Sequence, residues 1–281
     1  MAKMDPITGK YVYVTCQGAE YRIYYEENGT GIPMICLHTA GTDGREWRHQ
    51  LSDPDITKNY RVIAFDLPWH GKSIPPEGYY DMADEYRLTE KFYTEITMAL
   101  CKELEIEKPV IMGSSMGGNI CLAFALEYSD QLKALIAVEA CDHSPGWYLD
   151  LLGHPHIHGG EVCATSVYGL MAPQSPYEYR RETWWYYAQG GPGIFKGDLY
   201  YYSIDNDFRD KCDKIPGTIP IYFLTGEYDF ACTPEMTEAT AKKVKNSECI
   251  IMDGMGHFPM SENPVVYKEF LMPVLDKILQ L

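Results

Sequence analysis

The segment from Pro109 to Gly118 constrains the fold most, because it joins an apolar run to a helix-forming run through a glycine-rich turn. Val110 to Met112 are apolar, as expected of a parallel strand buried on both faces of a sheet. The turn has the pattern Gly-x-Ser-x-Gly, with Ser115 at its centre, and residues 119–128 follow without Gly or Pro. This pattern predicts a strand, a sharp turn and a helix, with a serine at the apex as a candidate nucleophile.

Predicted strands and helices alternate along much of the chain, which is typical of an α/β fold with a mostly parallel central sheet and helices on both faces. The predicted strands are 11–15, 21–25, 33–37, 60–65, 110–112, 135–139, 220–224 and 248–252. The predicted helices are 46–51, 86–104, 118–128, 234–244 and 264–279. We expect the first two strands to form an antiparallel hairpin at one edge of the sheet.

Residues 141–216 break this alternation. They are rich in Tyr, Trp, His, Gly and Pro, and no strand pattern is visible among them. Open α/β sheets bind ligands at the carboxyl ends of their strands. We therefore predict that 141–216 form an inserted, mainly helical cap over that edge, and that 1–140 and 217–281 form the core domain.

A serine nucleophile needs a base within hydrogen-bonding reach and an acid that orients the base. His257 follows the last predicted strand, in a compact Gly-Met-Gly-His loop, and is the candidate base. Asp229 follows the strand 220–224 and is the candidate acid, with Glu139 and Asp142 as alternatives after the preceding strand. The order Ser115, Asp229, His257 is the order of nucleophile, acid and base expected of one particular fold.

A tetrahedral intermediate carries a negative oxygen, which hydrogen-bond donors fixed in advance stabilise. The backbone N–H of Met116, directly after the candidate nucleophile, is one predicted donor. The second predicted donor is the N–H of Ala40, in the loop that follows the strand 33–37.

With these residues identified, the chain resembles the α/β-hydrolase superfamily along nearly its whole length. The resemblance rests on five segments: HTAG at 38–41, DLPWHGKS at 66–73, GSSMGG at 113–118, GEYD at 226–229 and GHFP at 256–259. It implies the α/β-hydrolase fold and a serine hydrolase with a Ser-Asp-His triad. Relatives that dehalogenate or open epoxides carry an aspartate at the apex, so Ser115 disfavours both activities. Trp69 replaces the first glycine of the family's D-x-P-G-x-G-x-S pattern, and His70 is predicted to be structural.

The predicted cap is rich in aromatic residues, which supply large rigid walls with polar groups at their edges. Candidate substrate contacts are Thr39, Ser114, Arg180, Arg181, Trp184 and Trp185. An arginine of the pair could bind a substrate carboxylate, although such a pair is more often a solvated helix face. The alternating histidines 154, 156 and 158 lie in a segment with Pro155 and flanking glycines, so we predict a loop there and no metal site.

The main functional hypothesis is hydrolysis of a carboxylic ester or lactone of a small, apolar or aromatic substrate, through an acyl-enzyme and without a cofactor. A second hypothesis is hydrolysis of a carbon–carbon bond in a ring-fission product, for which a basic cap residue facing Ser115 would be the distinguishing feature. A third hypothesis, from another class, is a ligand sensor or binding protein that keeps the fold with slow turnover.

Composition limits the partners. A net charge of −16 and a pI near 4.9 argue against binding to nucleic acid or anionic membranes. No export signal or membrane span is visible, so a cytoplasmic location is expected. The nine cysteines are scattered without a C-x-x-C pair, which predicts free, mostly buried thiols. A small-molecule substrate and a monomer or homodimer are expected.

Overall fold

The computed structural model describes residue 2 and residues 4–76, 85–154, 156–157 and 159–281. In the described chain, eight strands form one sheet. The strands are β1 (Thr8–Cys16), β2 (Ala19–Asn28), β3 (Ile32–Leu37), β4 (Tyr60–Phe65), β5 (Val110–Ser114), β6 (Ala134–Val138), β7 (Ile221–Gly226) and β8 (Ser247–Met252).

The α-helices of the described residues are α1 (Arg48–Ser52), α2 (Pro54–Thr57), α3 (Glu90–Glu103), α4 (Met116–Glu127), α5 (Gly159–Tyr168), α6 (Tyr177–Ala188), α7 (Ile194–Tyr200), α8 (Pro234–Ala241), α9 (Pro259–Glu262) and α10 (Pro264–Leu279). Short 3₁₀ turns precede α1 and link other elements, and α7 continues into one π-helical turn over Tyr201–Asp205. None of these helices combines the length and apolarity needed to cross a lipid bilayer.

The strand order across the sheet is β1-β2-β4-β3-β5-β6-β7-β8. From β4 to β8 all neighbouring strands are parallel, whereas β1 and β2 form an antiparallel hairpin that pairs with β4. The predicted α/β fold and the edge hairpin are therefore confirmed. Every residue of β5 and β6 is buried, which explains why these strands are continuous apolar runs rather than alternating ones.

Three predicted helices start at a different residue in the structure, and the one predicted over 118–128 begins two residues earlier, at Met116. The helix predicted over 86–104 begins at Glu90, because the Thr89 side chain accepts a hydrogen bond from the Phe92 N–H and caps its first turn. The helix predicted over 46–51 is a 3₁₀ turn, Gly44–Trp47, followed by α1. In contrast, α10 begins at Pro264 as predicted, with Asn263 at the capping position.

Residues between β6 and β7 contain α5, α6 and α7, and no strand occurs among those that the structure describes. This agrees with the predicted helical content of 141–216, while the division into core and cap domains stays a prediction. Of the HPHIH segment, His154 and His156 lie outside regular helices, and Pro155 and His158 lie outside the described residues.

Candidate active site

Ser115 lies at the turn between β5 and α4, with an unusual backbone conformation of φ 56° and ψ −114°. Such a conformation costs free energy and is found mostly at functional sites. Its N–H donates a hydrogen bond to the Val138 carbonyl, 2.9 Å away, which fixes the turn against β6. Gly113 and Gly117 have no room for a side chain. A Cβ on Gly113 would lie 2.0 Å from the Gly117 carbonyl oxygen, and a Cβ on Gly117 would lie 2.6 Å from the Leu37 carbonyl oxygen.

The structure brings Ser115, His257 and Asp229 together. Ser115 Oγ lies 2.8 Å from His257 Nε2, and His257 Nδ1 lies 2.7 Å from Asp229 Oδ2. All three side chains are buried. Because the Asp229 carboxylate can only accept, His257 donates from Nδ1 and leaves Nε2 as the acceptor of the serine proton.

Asp229 stays ionised despite its burial. Its Oδ1 accepts hydrogen bonds from the N–H groups of Ala231, at 2.7 Å, and Cys232, at 3.2 Å. Burial alone would raise the pKa of Asp229, but His257 and these backbone donors outweigh it and lower the pKa below its ordinary value.

Of the two alternative acids, Glu139 lies beside the site and Asp142 does not. Glu139 is fully buried and follows β6 with a positive φ of 50°, and it offers an oxygen within 4.8 Å of ligand atoms of Asp229 and His257. Burial and the neighbouring Asp229 charge raise the pKa of Glu139 well above its ordinary value, which favours its neutral form. Asp142 forms an ion pair with Lys243 at 2.6 Å.

The loop that carries His257 is held by Glu262, a buried residue that the sequence did not reveal. One Glu262 oxygen accepts from the Gly256 N–H at 2.8 Å and from the Ala172 N–H at 3.1 Å, and the other accepts from the Phe258 N–H at 3.3 Å. A carboxylate three to five residues beyond a candidate base, before a helix, is the signal that could have indicated this role.

The loop of residues 38–41, called the oxyanion loop below, adopts a fixed shape. His38 is buried, and burial together with the nearby His70 lowers its pKa to about 4, so its ring is neutral. Its Nδ1 lies 2.8 Å from the Thr39 carbonyl oxygen, and its Nε2 accepts from the Leu67 N–H at 3.2 Å. Within the described residues the Ala40 N–H has no hydrogen-bond partner, so it is free to bind another group.

Ser115 and His257 line a cavity of about 140 Å³. Ala40 and Ala231 form part of its wall, and the remaining side chains are mostly apolar ones from the predicted cap: Trp147, Leu149, Leu152, Val167, Leu170, Phe195 and Leu199. No lysine or arginine is among the described residues that line it. The cavity therefore suits a small apolar group next to the reactive serine.

Several candidate substrate contacts do not reach this cavity. Arg180 and Arg181 stack over the rings of Tyr168 and Trp184, with guanidinium-to-ring distances of 4.5 and 4.2 Å. Trp185 is largely exposed on the same helix, α6. Arg181 and Trp185 are exposed, whereas Arg180 is half-buried, and neither arginine lines the cavity. This pair therefore does not supply the basic residue facing Ser115 that would distinguish the carbon–carbon hypothesis.

Thr39 and Ser114 are buried away from the cavity wall. The Thr39 side chain bonds to Glu46 and to the Tyr187 hydroxyl. Ser114 is the last residue of β5, and its Oγ is buried without a hydrogen-bond partner in the described structure.

Comparisons with known proteins agree with this architecture. Residues 32–154 match the family model described as the alpha/beta hydrolase fold. A thermophilic esterase from Thermogutta terrifontis superposes with a TM-score of 0.83 and 23% identity, over 96% of this chain and 99% of that one. The chain has the α/β-hydrolase fold. An enol-lactonase from Burkholderia xenovorans superposes with a TM-score of 0.80 and 17% identity, over 96% of this chain and 100% of the other.

Among curated proteins, one match is named 2-hydroxy-6-oxononadienedioate/2-hydroxy-6-oxononatrienedioate hydrolase, from Burkholderia vietnamiensis. The two sequences are 29% identical over 150 residues, which is 52% of this chain and 50% of the relative. The chain thus spans about half the length of the curated relatives that it matches. The solved structures, at less than 25% identity, show the shared fold alone.

Proposed function

We propose that this protein is a serine hydrolase that cleaves a small substrate at a carbonyl carbon. The observation that carries the proposal is the continuous hydrogen-bonded chain from Ser115 Oγ through His257 to Asp229, with steps of 2.8 and 2.7 Å, at the wall of the cavity. A nucleophile, a base and an orienting acid in this arrangement are the parts that acyl transfer requires.

In the proposed reaction, Ser115 Oγ attacks the carbonyl carbon while His257 Nε2 takes the hydroxyl proton. His257 then gives this proton to the leaving group, and Asp229 stabilises the imidazolium in between. Water attacks the acyl-enzyme next, with His257 again as base, and the acid product leaves. The N–H groups of Ala40 and Met116 are the proposed donors to the negative oxygen of each tetrahedral intermediate.

The substrate class is the finer question, and the curated relatives support carbon–carbon hydrolysis of a ring-fission product better than the ester hydrolysis expected first from the sequence. The names of two of these relatives specify dienedioate and trienedioate substrates. In such a reaction Ser115 would attack a ketone, and the leaving carbon would take its proton from His257.

A specific observation favours a neutral ester or lactone as the second candidate. A dienedioate carries two carboxylates, and a buried carboxylate needs a cationic or hydrogen-bonding partner. The described residues that line the cavity include no lysine or arginine, and Arg180 and Arg181 stack on aromatic rings instead. An apolar acyl group can pack against this cavity wall without leaving a buried carboxylate unpaired.

The mechanism is tested with Ser115→Ala and, as matched control, Ser114→Ala. Ser114 is the adjacent buried serine, and its hydroxyl has no partner in the described structure, so its loss should leave activity unchanged. Ser115→Ala should abolish both turnover and labelling by a fluorophosphonate probe. Undiminished turnover in Ser115→Ala would contradict the proposal.

Two chromogenic substrates distinguish the substrate classes. A 2-hydroxy-6-oxo-dienoate loses its visible absorbance when its carbon–carbon bond is cleaved, and p-nitrophenyl butyrate releases a coloured phenolate. A higher kcat/KM for the dienoate supports carbon–carbon hydrolysis, and a higher value for the ester supports the second candidate. A burst of one equivalent followed by no turnover would instead favour the slow sensor.

A further inference from the structure

Two side chains of the predicted cap bond to the oxyanion loop on either side of Ala40. Asp198, on α7, accepts a hydrogen bond through Oδ2 from the Gly41 N–H at 2.7 Å. Tyr187, on α6, places its hydroxyl 2.5 Å from Thr39 Oγ1. Asp198 is completely buried and Tyr187 nearly so, which makes both bonds strong relative to exposed ones.

The Asp198 carboxylate is also paired with a buried histidine. His70 Nε2 lies 2.8 Å from Asp198 Oδ2, and its Nδ1 lies 2.9 Å from the Pro68 carbonyl oxygen. Both ring nitrogens face acceptors, which favours the doubly protonated ring. Burial lowers the pKa of His70, but Asp198 and the Pro68 carbonyl outweigh burial and raise the pKa above its ordinary value. The Tyr86 hydroxyl donates to the other carboxylate oxygen at 3.0 Å, so three groups from three chain segments bond to the Asp198 carboxylate.

The predicted cap also packs closely against the oxyanion loop at Gly41. Gly41 has a φ of +77°, and a Cβ there would lie 2.6 Å from the Phe195 ring. A Cβ on Gly190 would lie 2.7 Å from the Gly41 carbonyl oxygen. The predicted cap therefore approaches the Ala40–Gly41 peptide more closely than a side chain at either glycine would allow.

We propose that Asp198 and Tyr187 are positioning residues that fix the Ala40 N–H in the direction of the developing oxyanion. This rests on the proposed function. Donors aimed in advance stabilise a transition state because no reorganisation is needed during the reaction. Ala40 is flanked by Thr39 and Gly41, and each flank is tied to the cap, so the Ala40 donor is aimed only while the cap is docked. The cap then contributes to the chemical step as well as to the cavity wall.

The test compares Asp198→Leu, which removes the acceptor, with Asp198→Asn, which keeps an oxygen for the Gly41 N–H. Losing one oxyanion donor costs about 10²–10³ in kcat, so we expect Asp198→Leu to lower kcat by at least about tenfold with KM changed by less than about threefold. Affinity for an alkyl trifluoromethyl ketone, which places a negative oxygen in the same hole, should fall by the same factor as kcat/KM. Asp198→Asn should recover most of both losses.

Tyr187→Phe carries the test independently, including the case in which Asp198→Leu does not fold. Its matched control is Tyr201→Phe. Tyr201 is another buried tyrosine of the predicted cap, and its hydroxyl bonds to Asn206 rather than to the oxyanion loop. We expect Tyr187→Phe to weaken binding of the ketone and lower kcat, and Tyr201→Phe to leave both unchanged. Folded variants at 187 and 198 with normal kcat and ketone affinity, or with a change in KM alone, overturn the positioning role. A wild-type protein that neither hydrolyses substrate nor reacts with fluorophosphonate contradicts the proposed function instead.

Discussion

The carboxyl groups of Glu139 and Asp229 lie side by side at the ends of neighbouring strands β6 and β7, with oxygen atoms no more than 4.8 Å apart. Only Asp229 bonds to His257, while both Glu139 oxygens accept from the Gly226 N–H at 2.9 and 3.0 Å. Ionising two adjacent carboxyl groups in a buried site costs a large electrostatic free energy. The pKa of Glu139 is raised and that of Asp229 is lowered, which favours the negative charge on Asp229, the carboxylate that bonds to His257.

Asp229→Asn should lower kcat by about 10⁴-fold, because an amide facing His257 Nδ1 stabilises the wrong tautomer. The measurement is the steady-state rate at pH 7 at which each variant hydrolyses whichever of the two chromogenic substrates the wild type turns over. Asp142→Asn is the matched control, since Asp142 pairs with Lys243 away from the site and its change should leave kcat within error. An equal loss in Asp142→Asn would contradict the assignment of the acid.

Glu46→Gln should change how stability depends on pH. Burial raises the pKa of Glu46 to about 7, against hydrogen bonds from Thr39 that favour the ionised form. The folded state therefore holds a proton that the unfolded state releases above about pH 4.5. Wild-type stability attributable to Glu46 falls as pH rises from about 4.5 to about 7, by at most ~3 kcal/mol, and glutamine removes this dependence.

The measurement for Glu46 is urea denaturation of both proteins at several pH values between 4.5 and 8. The stability of Glu46→Gln relative to wild type should rise across the window and level off above about pH 7. Glu103→Gln, at an exposed position on α3, supplies the baseline for losing a surface carboxyl group. A stability difference that does not vary with pH for Glu46→Gln would show that this carboxyl titrates alike in both states.

Gly41→Ala should be more damaging than Gly18→Ala, although both glycines have φ near +80°. At Gly18 no atom lies within 4 Å of an added Cβ, so only the backbone conformation is penalised, by about 1–2 kcal/mol. At Gly41 the added methyl also collides with Phe195, which adds about 1–3 kcal/mol of overpacking. Denaturant unfolding measures both changes, and Gly41→Ala combined with Phe195→Ala should regain part of the loss. Equal destabilisation at the two glycines would contradict the close contact.

Arg180→Ala and Arg181→Ala should leave kcat/KM unchanged for a dienoate and for a neutral ester alike. Their guanidinium groups stack on Tyr168 and Trp184 and do not line the cavity. The readout is the ratio of the two kcat/KM values in each variant. A selective loss for the carboxylate substrate in either variant would show that the cap rearranges to present that arginine to Ser115.

Much of the fold was predictable because its strands are continuous apolar runs separated by turn residues. The Ser115 turn is specified within about ten residues, and the loops of Asp229 and His257 each follow such a run directly. Local sequence was sufficient to predict an element whose own residues set its boundaries, as at α10.

The contacts of the predicted cap with the core could not be predicted in the same way. Asp198 and Gly41 are 157 residues apart in sequence, and neither is marked by a local pattern. Whether Arg181 faces the cavity or solvent depends on the rotation of α6 about its axis, which its weakly amphipathic sequence leaves open. Long-range packing decides both, and a single sequence carries no record of it.

The distance along the chain between Ser115 and His257 has a consequence for synthesis of the protein. A growing polypeptide that has been translated only through β7 already contains the serine but not yet its base. The hydroxyl of such a chain is an ordinary alcohol. Under the proposed mechanism, the serine becomes reactive only when the segment after β8 leaves the ribosome and docks, so an incomplete translation product carries no active nucleophile.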